Sequence, residues 1–170
     1  MSTGTELLEF RYLVLIHNEE KNMALSQAVC NVFKMNLLKG NHDFDGGATY
    51  KIALYTSSAT LGATTTHYVT TNEITNTSGS AYVAAGNTLA NPSVTGGSGV
   101  SPAYVDFDDR SWTNASFTAN GALIYRSDNN LSNTDAVVVL AFGGDFTASN
   151  GTFTVQFPTA GGGSEIIRLA

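Results

Sequence analysis

The sequence is poor in the residues from which reactive sites are usually built. It has one cysteine, three histidines and only 13% charged residues. A single cysteine excludes an intrachain disulfide and a cysteine-rich metal site. Cys30 lies in an apolar helical pattern and reads as a small core residue rather than a reactive thiol. No apolar run approaches the ~20 residues that a bilayer-spanning helix needs. The stretch Tyr12–Ile16 is apolar but short. Met1–Glu6 has neither a basic region nor a clear cleavage site, so no secretion signal is expected. The sequons at Asn76, Asn114, Asn130 and Asn150 are then chance occurrences in a chain rich in Asn and Thr. Basic clusters are missing as well. Residues 41–170 hold ten acids against four bases and carry the whole net charge of −6, while residues 1–40 balance at four of each. A nucleic-acid partner needs clustered Lys and Arg to displace counterions from phosphate, so none is expected, and neither is a membrane partner.

The 170 residues, 42% of them apolar, suit one domain that buries a core without metals or disulfides. Ser, Thr and Asn supply 51 residues, so neutral hydroxyls and amides keep the surface wet. These side chains favour strands and turns over exposed helices.

The chain divides near Gly40. Residues 5–16 mix an alternating pattern (Phe10, Tyr12, Val14, Ile16) with a helical one (Leu7, Leu8, Leu15). Ser26 is placed to cap a helix over 27–38, with Val29, Val32, Phe33 and Leu37 at helical spacing and Gly40 as its stop. Strands are predicted over 49–57, 64–71, 81–84, 103–107, 135–142 and 165–169. Residues 115–126 contain Asn120-Gly121, which marks either a tight hairpin or a bulge within one long strand. Asn150-Gly151 is the strongest hairpin signal. The segment 91–102 reads as the most flexible loop. The expected fold is mainly β: a jelly-roll-like β-sandwich over 23–170 with one leading helix, preceded by an arm at 1–22.

Candidate chemistry is thin. His42, Asp43 and Asp45 are conceivable metal ligands, but a turn with Asx-type hydrogen bonds is the plainer account. Asp106, Asp108 and Asp109 have calcium-type oxygens without the spacing of an EF-hand loop, and a solvated loop is the simpler reading. Gly96, Gly97, Ser98 and Gly99 have the wrong order for a nucleophile elbow. Trp112, with Tyr104 and Phe107, reads as a core anchor before it reads as a sugar platform. No cofactor is expected.

Residues 23–44 (MALSQAVCNVFKMNLLKGNHDF) followed by YKIALYTSSATLG form one recognisable stretch. With GALIY (121–125), LAFGG (140–144), FTVQFP (153–158) and IIRLA (166–170), it resembles a widespread group of tailed-phage virion proteins. The resemblance implies a small, non-enzymatic virion component. Several such proteins are capsid decoration or cement proteins with a jelly-roll-like fold. Implied partners are the major capsid protein and copies of this chain. The implied location is the outer capsid surface, after synthesis in the host cytoplasm. A tail, baseplate or fibre component that binds a host glycan is the alternative. The resemblance starts near Met23, so residues 1–22 are either a start set upstream or a real arm. If they form an arm, Leu7, Leu8, Phe10, Tyr12 and Val14 are the expected intersubunit contacts, because an extended apolar strip can pair with a neighbour's sheet edge.

Overall fold

The computed structural model describes residues 25–75, 81–97, 100–128, 135–161 and 165–169. The arm expected at 1–22, with its five contact residues, lies outside the described residues. The elements are β1 (Ala28–Val29), α1 (Asn31–Leu38), β2 (Tyr50–Tyr55), β3 (Asn87–Thr88), β4 (Ser93–Gly97), β5 (Val100–Asp106), β6 (Arg110–Arg126), β7 (Ala136–Val155) and β8 (Ile167–Leu169). They form two antiparallel sheets, ordered β1-β7-β6-β2-β3 and β4-β5-β8. One apolar core holds residues from both, including Leu54, Trp112, Val139, Val105 and Ile167. The expectation of a mainly β sandwich with one helix is met. The strand order does not by itself establish jelly-roll winding.

The backbone of the larger sheet is the ribbon of β6 and β7. Residues 136–140 are buried throughout, as a continuous apolar run covered on both faces requires. β2 lies on the other side of β6, with Ile52 opposite Ile124 and Leu54 opposite Ala122. Every β2 residue except Lys51 is buried, so its alternating pattern serves two covered faces.

Several expectations are corrected. The helix starts at Asn31 rather than Gln27, because Ala28 and Val29 pair with Val139 and Val138 of β7. Ser26 therefore caps nothing, and its N–H donates to the Leu61 carbonyl. Residues 64–71 form no strand. They have β-branched composition but form a backbone bridge only between His67 and Asp135. Residues 81–84 are irregular, and the short pairing beside β2 falls at Asn87–Thr88 instead. The segment 91–102 supplies β4 and part of β5, paired from Ser93–Asp106 to Gly97–Val100. Asn120-Gly121 lies inside β6 as a bulge, where the partner positions jump from Phe146 to Ala141. Asn150-Gly151 makes no hairpin. Asn150 takes φ +50° within β7, and Phe153–Val155 continue the same ribbon against Arg110–Trp112.

Candidate functional site

His42 is buried in an aromatic cluster. Its ring centroid lies 4.7 Å from that of Phe33, and its Nδ1 is 3.2 Å from the Tyr50 hydroxyl. Burial, reinforced by the Arg126 cation, pushes the imidazole down to about 4. Asp43 and Asp45 are exposed, and the Asp45 N–H donates to Asp43 Oδ1 at 3.1 Å. This is the Asx-type turn expected as the plainer account, not a gathered ligand set.

The second acidic group is dispersed in the same way. Asp108 Oδ2 accepts from Asn91 Nδ2 at 2.5 Å, and Asp109 Oδ1 accepts the Phe157 N–H at 2.7 Å. The Asp106 carboxyl is pushed up by desolvation and by its acidic neighbours Asp109 and Asp108. Asp108 and Asp109 tie different loops, while Asp106 Oδ1 is buried without a hydrogen-bond partner. Among the described residues, no three His, Cys, Asp or Glu side chains gather as a metal site.

Trp112 is fully buried, and its Nε1 donates to Asn87 Oδ1 at 2.7 Å. It presents no ring face to a sugar. Cys30 is also fully buried, and burial pushes its thiol up to about 12, so it is protonated and inert at neutral pH.

Sequence reasoning missed a buried polar network. The Tyr82 hydroxyl accepts the Leu54 N–H at 3.0 Å and donates to Glu73 Oε1 at 2.7 Å. The Tyr68 hydroxyl donates to Glu73 Oε2, and the Tyr55 hydroxyl donates to the Val69 carbonyl at 2.6 Å. Burial raises all three phenols, first among the causes. These bonds fasten the irregular stretch 56–75 to β2. Their role is structural, because every polar atom named is already engaged.

The surface feature with the most unsatisfied chemistry is on β7. β1 covers the outer edge of β7 only at Val138 and Val139. Beyond them, among the described residues, β7 pairs with β6 alone as far as Val155. Among the described residues, then, no strand pairs with the outward side of that stretch, which is a sheet edge. Beside the edge runs a cleft of about 450 Å³, lined by Leu140, Phe142, Phe146, Phe153 and Phe157 among others. Its floor is rigid, because Phe153 packs on Phe117 with ring centroids 5.2 Å apart and on Trp112 at 6.2 Å. Its wall is Phe146, which is 53% exposed.

The bulge creates this concavity. Between Ala141 and Phe146, β7 has residues with no counterpart beyond Asn120 on β6, and Gly143 takes φ +82° there. Asn120 Nδ2 donates to Asp145 Oδ1 at 2.8 Å and locks the bulge. The remaining lining is neutral: Thr147, Thr152, Thr154 and Gln156. Aromatic floor, neutral rim and sheet edge suit an extended apolar segment of polypeptide. The sequence signal was the spaced Phe142, Phe146 and Phe153, hidden while Asn150-Gly151 was read as a turn. Comparison with family models, with curated proteins and with solved structures returns no match.

Proposed function

We propose that this chain is a virion structural protein that covers the outer surface of a tailed-phage capsid as a decoration or cement protein. The observation that supports this reading is the β7 edge with its aromatic cleft, a surface fitted to protein rather than to a small substrate. The resemblance of residues 23–44 and of the later strands to virion proteins supplies the context. The partners in this reading are the major capsid protein and further copies of the chain. The edge and cleft on one side, and the apolar strip at 7–16 on the other, are the two halves of an intersubunit contact. Many modest contacts then favour the assembled shell by mass action.

The test is cosedimentation of the purified chain with capsids stripped of it, beside its mass by light scattering. Saturable binding at a fixed copy number per shell is the expected result. Absence of capsid binding, with a stable trimer in solution, overturns it and points to a tail or fibre role in host-glycan binding. That alternative has lost its sugar platform, since Trp112 is inside the core.

A further inference from the structure

The two Asn-Gly pairs carry a chemistry that the fold treats differently. Asparagine followed by glycine can close a five-membered imide, because glycine has no side chain to hinder its own nitrogen as it approaches the asparagine Cγ. Asn120-Gly121 is held away from this step. Asn120 is buried, and its Nδ2 donates to Asp145 Oδ1 at 2.8 Å. Gly121 is packed too tightly to move, since a Cβ on it would lie 2.5 Å from the Leu140 carbonyl oxygen. Asn150-Gly151 is placed the other way. Asn150 is exposed, and its φ of +50° lies outside ladder geometry. The Gly151 backbone is uncrowded: a Cβ there would meet the Ser149 carbonyl oxygen at 3.8 Å and nothing nearer.

A neighbouring hydroxyl is aimed at the reacting group. Ser116 Oγ accepts the Asn150 N–H at 3.0 Å and donates to Asn150 Oδ1 at 3.4 Å. When a nucleophile adds to Cγ, negative charge collects on Oδ1. A hydroxyl already pointed at that oxygen stabilises the charge, and such contacts tighten as it develops.

We propose that Asn150-Gly151 is a site of spontaneous backbone modification, in which Ser116 steadies the oxyanion of imide closure. The Gly151 nitrogen attacks Asn150 Cγ and gives up its proton to solvent base. The N–Cγ bond forms, the Cγ–Nδ2 bond breaks, and the departing amide takes up a proton and leaves as ammonia. Water then opens the imide. Cleavage at Cγ gives aspartate. Cleavage at the former backbone carbonyl gives isoaspartate, in which the chain runs through the side-chain methylene. Either product adds one negative charge to a chain that already carries −6. Isoaspartate lengthens β7 by one backbone atom beside Gly151, the partner of Ala115, where the pairing with β6 already shifts register on both sides. The ribbon beyond can therefore keep its partners. The site needs no capsid contact, so it stands or falls separately from the proposed function.

Ageing the folded full chain at mildly alkaline pH, with peptide mapping by mass spectrometry, tests this. Isoaspartate is expected at position 150 and not at 120, with ammonia released and oxygen from heavy-oxygen water taken into the product. In urea-unfolded chain both pairs react. Gly151→Ala, where the added methyl fits, is expected to slow the folded reaction about tenfold or more. Ser116→Ala is expected to slow it about tenfold in the folded chain and not at all in urea, while Ser116→Thr keeps both hydroxyl and rate. Ser116 is exposed, so folding does not depend on it. Equal accumulation at 120 and 150 in the folded chain, or none at 150, overturns the proposal. An unchanged or faster rate in folded Ser116→Ala overturns it too, because the hydroxyl would then restrain Asn150 rather than assist it.

Discussion

The His42 imidazole sits among Phe33, Phe44 and Tyr50, where a positive charge has no solvation. Its folded value of about 4 lies below the ordinary 6.5. Between those values the unfolded chain takes up a proton that the folded chain refuses. Stability therefore falls as pH drops from 6.5 toward 4, by an amount of order 3 kcal/mol in the limit. Urea unfolding midpoints at pH 6.5 and pH 4.5 measure this. The His42→Phe variant is expected to show a shallower decline over the same interval, and equal declines in both proteins would refute the assignment. A metal-ligand reading of His42 was available from the sequence, because imidazole beside two aspartates is a ligand-like string. Only the fold shows that the ring points inward while both carboxylates point out.

At the scale of elements, partner strands decide where propensity does not. The run at 135–142 was legible because the unbroken apolar residues that follow Asp135 need cover on both faces. Residues 64–71 have strong β composition, yet no strand lies alongside them, and composition alone makes no ladder. Ala28 and Val29 fit the helical spacing, but the β7 edge captures them first. Asn150 takes its positive φ inside a continuing strand, and neither Asn120 nor Gly121 takes one, so an Asn-Gly pair makes a turn only where the pairing of the next few residues allows it. The cleft was illegible for the same reason: its walls meet only after the bulge has displaced β7. Glycines give a sharper element-level test. Gly86 takes φ +69° beside β2, and a Cβ there would lie 2.3 Å from the Ile52 carbonyl oxygen. Gly47 has φ +101° with nothing within 4 Å. Gly86→Ala is expected to cost about 3 kcal/mol or more, through backbone strain plus collision with the central sheet. Gly47→Ala bears the strain alone, about 1–2 kcal/mol. Equal losses in thermal or urea denaturation would mean that β2 yields at Gly86.

Considered whole, the molecule is knit by distant pairings. β6 and β7 are neighbours in the chain, but Ala28 meets Val139 and Tyr50 meets Arg126, so β1 and β2 join that ribbon only by bringing far parts of the chain together. Both sheets also share one core. A single cooperative unfolding transition is expected, with calorimetric and van't Hoff enthalpies equal, and refolding in the millisecond-to-second range typical of non-local β topologies. Two resolved transitions would show that β4, β5 and β8 melt apart from the larger sheet. The long β6–β7 ribbon has a further consequence, a mechanical one. Arg110 pairs with Val155 at one end and Tyr125 with Ala136 at the other. Tension that slides these two strands past each other loads the hydrogen bonds of the whole ribbon at once. Tension that peels them from one end breaks the same bonds singly. The direction of pull therefore sets the strength of this domain, which holds against far more force along the ribbon than across its end.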